Sequence, residues 1–149
     1  MSNIYFYLLI ALLAGAMMPA QAAANNKMAD FVDSPILAAL VSFIVGTIAL
    51  IVYLLLSGVS LTSLAGARDA PVYAWIGGLM GAFFVAATVT LLPKLGVAMT
   101  FSLVIAGQMF MTLVIDHFGL LGVEIRQVSW PRVAGILLIT GGVVLVRRF

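Results

Sequence analysis

The side chains in this sequence with chemistry to offer are few, and most are amides and hydroxyls. Gln21 and Asn25 are four residues apart, so on a helix they share one face, which Met17 extends by a turn. Gln108, Thr112 and Asp116 repeat that spacing further along, and Ser42 and Thr88 stand alone in other apolar stretches. Amides and hydroxyls donate and accept hydrogen bonds without carrying charge. Such a set suits the binding of a polar solute. The neighbours Asp116 and His117 form the candidate gate or proton relay near one surface, although ion pairing with Arg126 and Arg132 is the commoner role for a pair so placed. With no cysteine, one histidine and five acids, there is very little material for a metal site and none for a thiol nucleophile. No nucleophile–base pair is evident, so neither an enzyme nor a cofactor is expected.

These residues are embedded in an unusual composition. The chain has 149 residues, of which 64% are hydrophobic and 8% charged, against about 25% charged in a soluble domain. A water-soluble domain of this size could not hide so much apolar surface. Lipid is the solvent that removes the difficulty. The net charge of +2 is small and scattered, and does not point to nucleic acid. The length fits a single transmembrane domain, residues 1–149, with no separate soluble module.

A helix crosses the hydrocarbon core in roughly 20 mostly apolar residues. Charges and prolines divide the chain into five such stretches, at residues 4–25, 35–56, 71–92, 96–118 and 131–146. Ser34-Pro35 opens the second as a cap followed by proline at the first helical position. Pro71 opens the third and Pro93 follows it, while Gly119 is placed to end the fourth. The apolar runs are continuous where a membrane barrel would alternate, so an all-α protein is expected. Tyr5, Tyr7, Tyr53, Tyr73, Trp75 and Trp130 fall near the ends of these stretches, where amphipathic rings favour the interface. Tyr5 to Met18 also resembles a signal-peptide core, with Ala20-Gln21-Ala22 as its cleavage site. However, Met1-Ser2-Asn3 carries no Lys or Arg, and retention of the segment is the expectation.

Five spans put the two ends of the chain on opposite sides. One side then holds Arg68, Arg126 and Arg132, and the other Lys27, Lys94, Arg147 and Arg148. Basic residues normally mark the cytoplasmic side, and here they are nearly balanced. Two readings stand: one orientation with a weak signal, or copies inserted both ways that pair antiparallel. Arg147-Arg148 reads as a headgroup anchor for the last helix.

Polar groups within a bilayer need partners or a cavity. Gln21, Asn25 and Gln108 either bound a neutral hydrogen-bonding cavity or tie neighbouring helices together. Small residues at Ala11/Gly15, Ser42/Gly46, Gly77/Gly78/Gly81 and Gly135/Gly141/Gly142 predict close helix contacts. Trp75, Phe83 and Phe84 are candidates for a stacking wall, and lipid-facing aromatics are equally ordinary.

Several runs resemble one family. Gly15-Ala-Met-Met-Pro-Ala-Gln21-Ala-Ala-Ala-Asn25 and the run from Ser34 to Thr47 resemble the first two helices of the YdcZ-type branch of the drug/metabolite transporter superfamily. Ala74-Trp-Ile-Gly-Gly-Leu-Met-Gly-Ala82, Ala106-Gly-Gln108 and Asp116-His-Phe-Gly119 continue the resemblance over essentially the whole chain. Asn26-Lys27 departs from the commoner pattern, and the fifth stretch is too generic to compare.

The resemblance implies a multi-pass protein of the bacterial inner membrane and one half of a ten-helix inverted-repeat transporter. Its partner would be a second, oppositely oriented copy or a paralogue, as in the related small multidrug resistance proteins. Carried over by position, Gln21, Asn25, Trp75 and Gln108 would line the central pathway, with Ser42 beside them. The expected activity is secondary active transport of a small polar or amphipathic organic solute by an antiparallel dimer through alternating access. Two alternatives stand: a multidrug-type cation/proton exporter using Asp116, and a non-transporting membrane scaffold or complex subunit. No acid lies at mid-span, which counts against the first of these.

Overall fold

The computed structural model describes residues 3–148, apart from the side chain of Arg147. Met1, Ser2 and Phe149 lie outside the described residues, so of the Arg147-Arg148 anchor only the side chain of Arg148 falls within them. Helices α1 (Asn3–Val32), α2 (Pro35–Ser57), α3 (Val72–Phe118) and α4 (Trp130–Arg148) account for most of the chain. Short 3-10 turns occupy Leu61–Asp69 and Leu120–Gly122. The chain divides into two compact units, Met1–Lys94 and Leu95–Phe149.

α3 counts as two helices. Its 47 residues leave helical geometry at Gly96, where φ is 77° and ψ 165°. A side chain rarely tolerates that conformation and glycine does. The stretches on either side are 72–95 and 97–118, each about 33–36 Å long at 1.5 Å per residue. Each exceeds the roughly 30 Å of a hydrocarbon core. The sequence places the end of the third stretch at Leu92, before Pro93, but the helix runs through Pro93. Proline removes one backbone donor, and so close to the helix end that loss is not enough to stop it. The positive φ at Gly96 does.

In the first unit, α1 and α2 form a tight hairpin. α1 is 30 residues long and continues past Asn25, where its apolar run ends, to Val32. Hydropathy ends where apolar side chains end, whereas a helix ends where its hydrogen bonds end. Lys27 and Asp30 decorate the extension and pair at 3.1 Å, with the ammonium 5.5 Å from the Phe31 ring. Asp33 then turns the chain with φ 51°. The Ser34 hydroxyl accepts a hydrogen bond from the Leu37 N–H, and Pro35 occupies the first turn of α2. Gly58, at φ 70°, ends that helix.

Three helices of this unit meet at a small core. Ala38 and Ala39 of α2 pack with Val85 and Val89 of α3, flanked by Ala29 and Val32 of α1. Small side chains let helix backbones approach closely where lipid supplies no hydrophobic drive. Large apolar residues elsewhere are exposed, among them Leu12, Leu56, Val72 and Phe83, which suits helices whose outer faces meet acyl chains. Most of the glycines expected at close contacts are open. A Cβ at Gly15, Gly46, Gly77, Gly78, Gly135, Gly141 or Gly142 would meet nothing within 4 Å, and only Gly81 has a neighbour, the Phe43 ring at 3.5 Å. The core is instead built from alanines and valines, residue types too common here to stand out.

In the second unit, Gly119 ends α3 in the left-handed region, with φ 59°. The following loop folds back on it, and the Arg126 N–H donates to the Asp116 carbonyl at 2.8 Å. α4 begins at Trp130, where the Val133 N–H bonds the Ser129 carbonyl.

Candidate functional site

The α1–α2 hairpin is antiparallel, which brings residues on α1 before the turn opposite residues on α2 after it. Gln21 of α1 and Ser42, Phe43, Gly46, Thr47 and Leu50 of α2 line an open cavity of about 210 Å³. Gln21, Ser42 and Thr47 give it an uncharged polar lining. Ser42 and Gly46 are four apart and so present small side chains on one face of α2, which opens the space. Thr47 carries no sequence signal of its own. Its neighbour Gly46, paired with Ser42, was the available signal, since the cavity follows that small-residue face.

Asn25 is one turn along α1 from Gln21 and differs from it sharply. Gln21 is exposed, whereas Asn25 is only 8% exposed. The Asn25 Nδ2 is buried without a hydrogen-bond partner. An orphaned donor of this kind costs about 1–3 kcal/mol. The same i, i+4 spacing therefore yields one side chain in a cavity wall and one donor held in reserve. Among the described residues, neither Gln21, Asn25 nor Gln108 makes a side-chain hydrogen bond to another helix, so in this conformation they do not act as interhelical ties.

The remaining sequence candidates are placed separately. Trp75 is 62% exposed near the start of α3 and lies outside the Gln21–Ser42 cavity. Phe83 and Phe84 part company: Phe83 lines an apolar hollow with Ile36, Leu40 and Phe43, while Phe84 packs against the alanine core. They form no common wall with Trp75. Thr88 is buried, and its hydroxyl bonds the Phe84 and Val85 carbonyls at 3.0 Å, so it is satisfied within its own helix.

In the second unit, Gln108 is exposed on α3. Thr112 donates its hydroxyl proton to the Gln108 carbonyl at 2.8 Å. The 108/112/116 stripe is thus divided: Thr112 bonds its own backbone and Asp116 bonds another helix. The Asp116 carboxylate lies 3.2 Å from the Arg132 guanidinium, with the two side chains 25% and 35% exposed. Glu124 pairs with Arg126 at 3.2 Å in solvent. The His117 ring accepts a hydrogen bond from the Val128 N–H at its Nδ1, at 3.4 Å, and packs edge-on against Phe118. Asp116 and His117 therefore engage different partners and do not bond each other. Thr100, nearly fully buried, donates to the Gly96 carbonyl at 2.7 Å and secures the start of the helix after the break. Among the described residues, no group of three or more His, Cys, Asp or Glu side chains is arranged to hold a metal.

Comparison with known proteins adds to this geometry. The profile of the DMT_YdcZ family, described as "Putative inner membrane exporter, YdcZ", matches residues 6–145. The chain is also 36% identical over 73 residues to the inner membrane protein YdcZ of Escherichia coli (strain K12), a stretch that covers 49% of each chain. The match thus spans about half the length of that curated relative. No solved structure matches the chain. That family description is of an exporter and not of an enzyme. Apolar helices long enough to cross a bilayer, and a family match over nearly the whole sequence, together identify the chain as a member of the DMT_YdcZ family, an all-α, multi-pass protein of the bacterial inner membrane.

Proposed function

We propose that this transporter carries a small, uncharged polar or amphipathic organic solute, and that its working unit is an antiparallel pair of chains operating by alternating access. The observation that carries the reading is the cavity between α1 and α2. Its polar lining, Gln21, Ser42 and Thr47, is uncharged, and the unpartnered Asn25 amide sits one turn away. A buried donor without an acceptor is accounted for by a partner that arrives and leaves. Hydrogen bonding in a place free of fixed charge selects neutral solutes, because an ion would enter without a counter-charge. An odd number of spans and the three-to-four division of basic residues support the pairing of oppositely oriented copies, with substrate held between inverted halves as in inverted-repeat transporters.

Two other readings fare less well. A cation exporter built on Asp116 would have to displace the Arg132 guanidinium, already 3.2 Å from the carboxylate. A scaffold would be expected to close its polar stripes into dry interhelical bonds, and Gln21 and Asn25 form none among the described residues.

A thermal-shift screen in detergent, using uncharged polyols and amides, amino acids and organic cations, tests the proposal. Uncharged solutes are expected to stabilise the protein, and that stabilisation should disappear in Gln21→Ala while the apo melting temperature is preserved. Stabilisation by organic cations alone, lost in Asp116→Asn, would replace this reading with the exporter. For the pairing, tags at Phe149 should report both sides of the membrane; labelling from one side only would reject it.

A further inference from the structure

A second, separate site is built where α3 ends and α4 begins. Asp116 stands two residues before the end of α3, and Arg132 is the third residue of α4. Their ion pair sits at one end of a cavity of about 250 Å³ whose walls are otherwise mostly apolar, including Met109 and Leu113 from α3 and Gly135, Ile136 and Ile139 from α4. From Asp116 back to Met109, and from Arg132 on to Ile139, is seven residues. The groove therefore follows each helix inward for about 10 Å. Phe118 and Trp130, each two residues along its helix from the ion pair, are both exposed, as expected of rings at headgroup depth.

The charges narrow the occupant. Asp116 and Glu124 are offset by Arg132 and Arg126, so this corner has no net charge to attract an anionic or a cationic amphiphile. What it offers is one acceptor and one donor side by side, about one-third exposed, at the end of an apolar slot. A ligand with an anion, an N–H-bearing cation and a hydrocarbon chain matches all three features. Entry of such a ligand exchanges one ion pair for two, with no charge left alone.

The geometry points to a bound zwitterionic aminophospholipid. Its phosphate is held by Arg132, which can engage phosphate oxygens through paired N–H donors. Its primary ammonium is held by Asp116, and part of one acyl chain lies along Gly135 and Ile139. The site is independent of the Gln21–Ser42 cavity and of the substrate reading.

Trp130 provides the probe. The chain has two tryptophans, so Trp75→Phe leaves a single fluorophore in the same helical turn as Arg132. The protein is reconstituted into phosphatidylcholine vesicles containing a minor fraction of either brominated phosphatidylethanolamine or brominated phosphatidylglycerol. Preferential quenching by the ethanolamine lipid is expected, corresponding to an enrichment of about fivefold over its bulk fraction. Two variants should abolish the preference. Asp116→Asn/Arg132→Gln removes both charges together. Gly135→Leu fills the slot and leaves the ion pair intact, and a Cβ at that position meets nothing within 4 Å. If the charge variant fails to fold, as judged by helical circular dichroism, Gly135→Leu decides the matter alone. Equal quenching by the two lipids, an excess for the glycerol lipid, or an ethanolamine preference that survives Gly135→Leu overturns the assignment.

Discussion

The Arg132 guanidinium reaches the Asp116 carboxylate at 3.2 Å, and the same nitrogen lies 3.4 Å from the Arg126 carbonyl. One side chain thus fastens the end of α3, the loop after it and the start of α4. The pair is neither fully exposed nor fully buried, so its loss should cost more than a surface ion pair and less than an interior one. Asp116→Ala is expected to lower the unfolding free energy by about 1–3 kcal/mol, measured by denaturant titration in micelles. Asp116→Asn/Arg132→Gln should cost less than Asp116→Ala, because it leaves no unpaired charge.

Two helix-ending glycines share a left-handed backbone but differ in surroundings. A Cβ at Gly58 would meet nothing, whereas one at Gly119 would fall 2.6 Å from Ile125 Cγ1. Gly58→Ala should therefore cost only the conformational penalty, about 1–2 kcal/mol. Gly119→Ala should cost clearly more, and adding Ile125→Ala should recover the excess. Melting temperatures of the three variants in one detergent test the ordering.

Asn25 gives a prediction with opposite signs for stability and transport. Replacing it with Leu removes a buried donor that has no acceptor. The apo protein is expected to gain up to about 1–3 kcal/mol, seen as a higher melting temperature, while losing solute-dependent stabilisation. A less stable Asn25→Leu protein would mean that the amide is satisfied in the membrane.

Gly81 faces Phe43 with room for one methyl group, since a Cβ there would lie 3.5 Å from the ring. Gly81→Ala is expected to stabilise the first unit by about 0.5–1 kcal/mol through its better helix propensity, while a leucine at the same position should destabilise it by forcing the ring aside. Parallel melts of the two variants measure the difference.

Much of the fold is legible in the residues. Ser34-Pro35 starts α2 because a hydroxyl cap and a proline satisfy a helix start from within the sequence itself. Gly119 ends α3 for an equally local reason. Less local features are not legible. The extension of α1 to Val32 depends on hydrogen bonds that polar residues sustain as well as apolar ones. The burial of Asn25 and the exposure of Gln21 depend on how α2 passes across them, which identical i, i+4 spacing does not reveal. The sequence brackets Asp116 and Arg132 on one side of the membrane, but the groove beneath them exists only once α3 and α4 are packed. Glycine patterns mislead for a related reason: a small residue permits close approach, and a neighbouring helix must still be there to make it.

The open space around those glycines has a practical side. The chain contains no cysteine, and a Cβ at Gly15, Gly46, Gly77 or Gly141 displaces nothing. A thiol introduced at any of them enters a silent chemical background at little steric cost. Two such thiols join only when their Cα atoms come within about 7 Å. A series of single-cysteine chains thus becomes a ruler laid along the bare helix faces, on which the direction and register of a second copy are read as covalent bands.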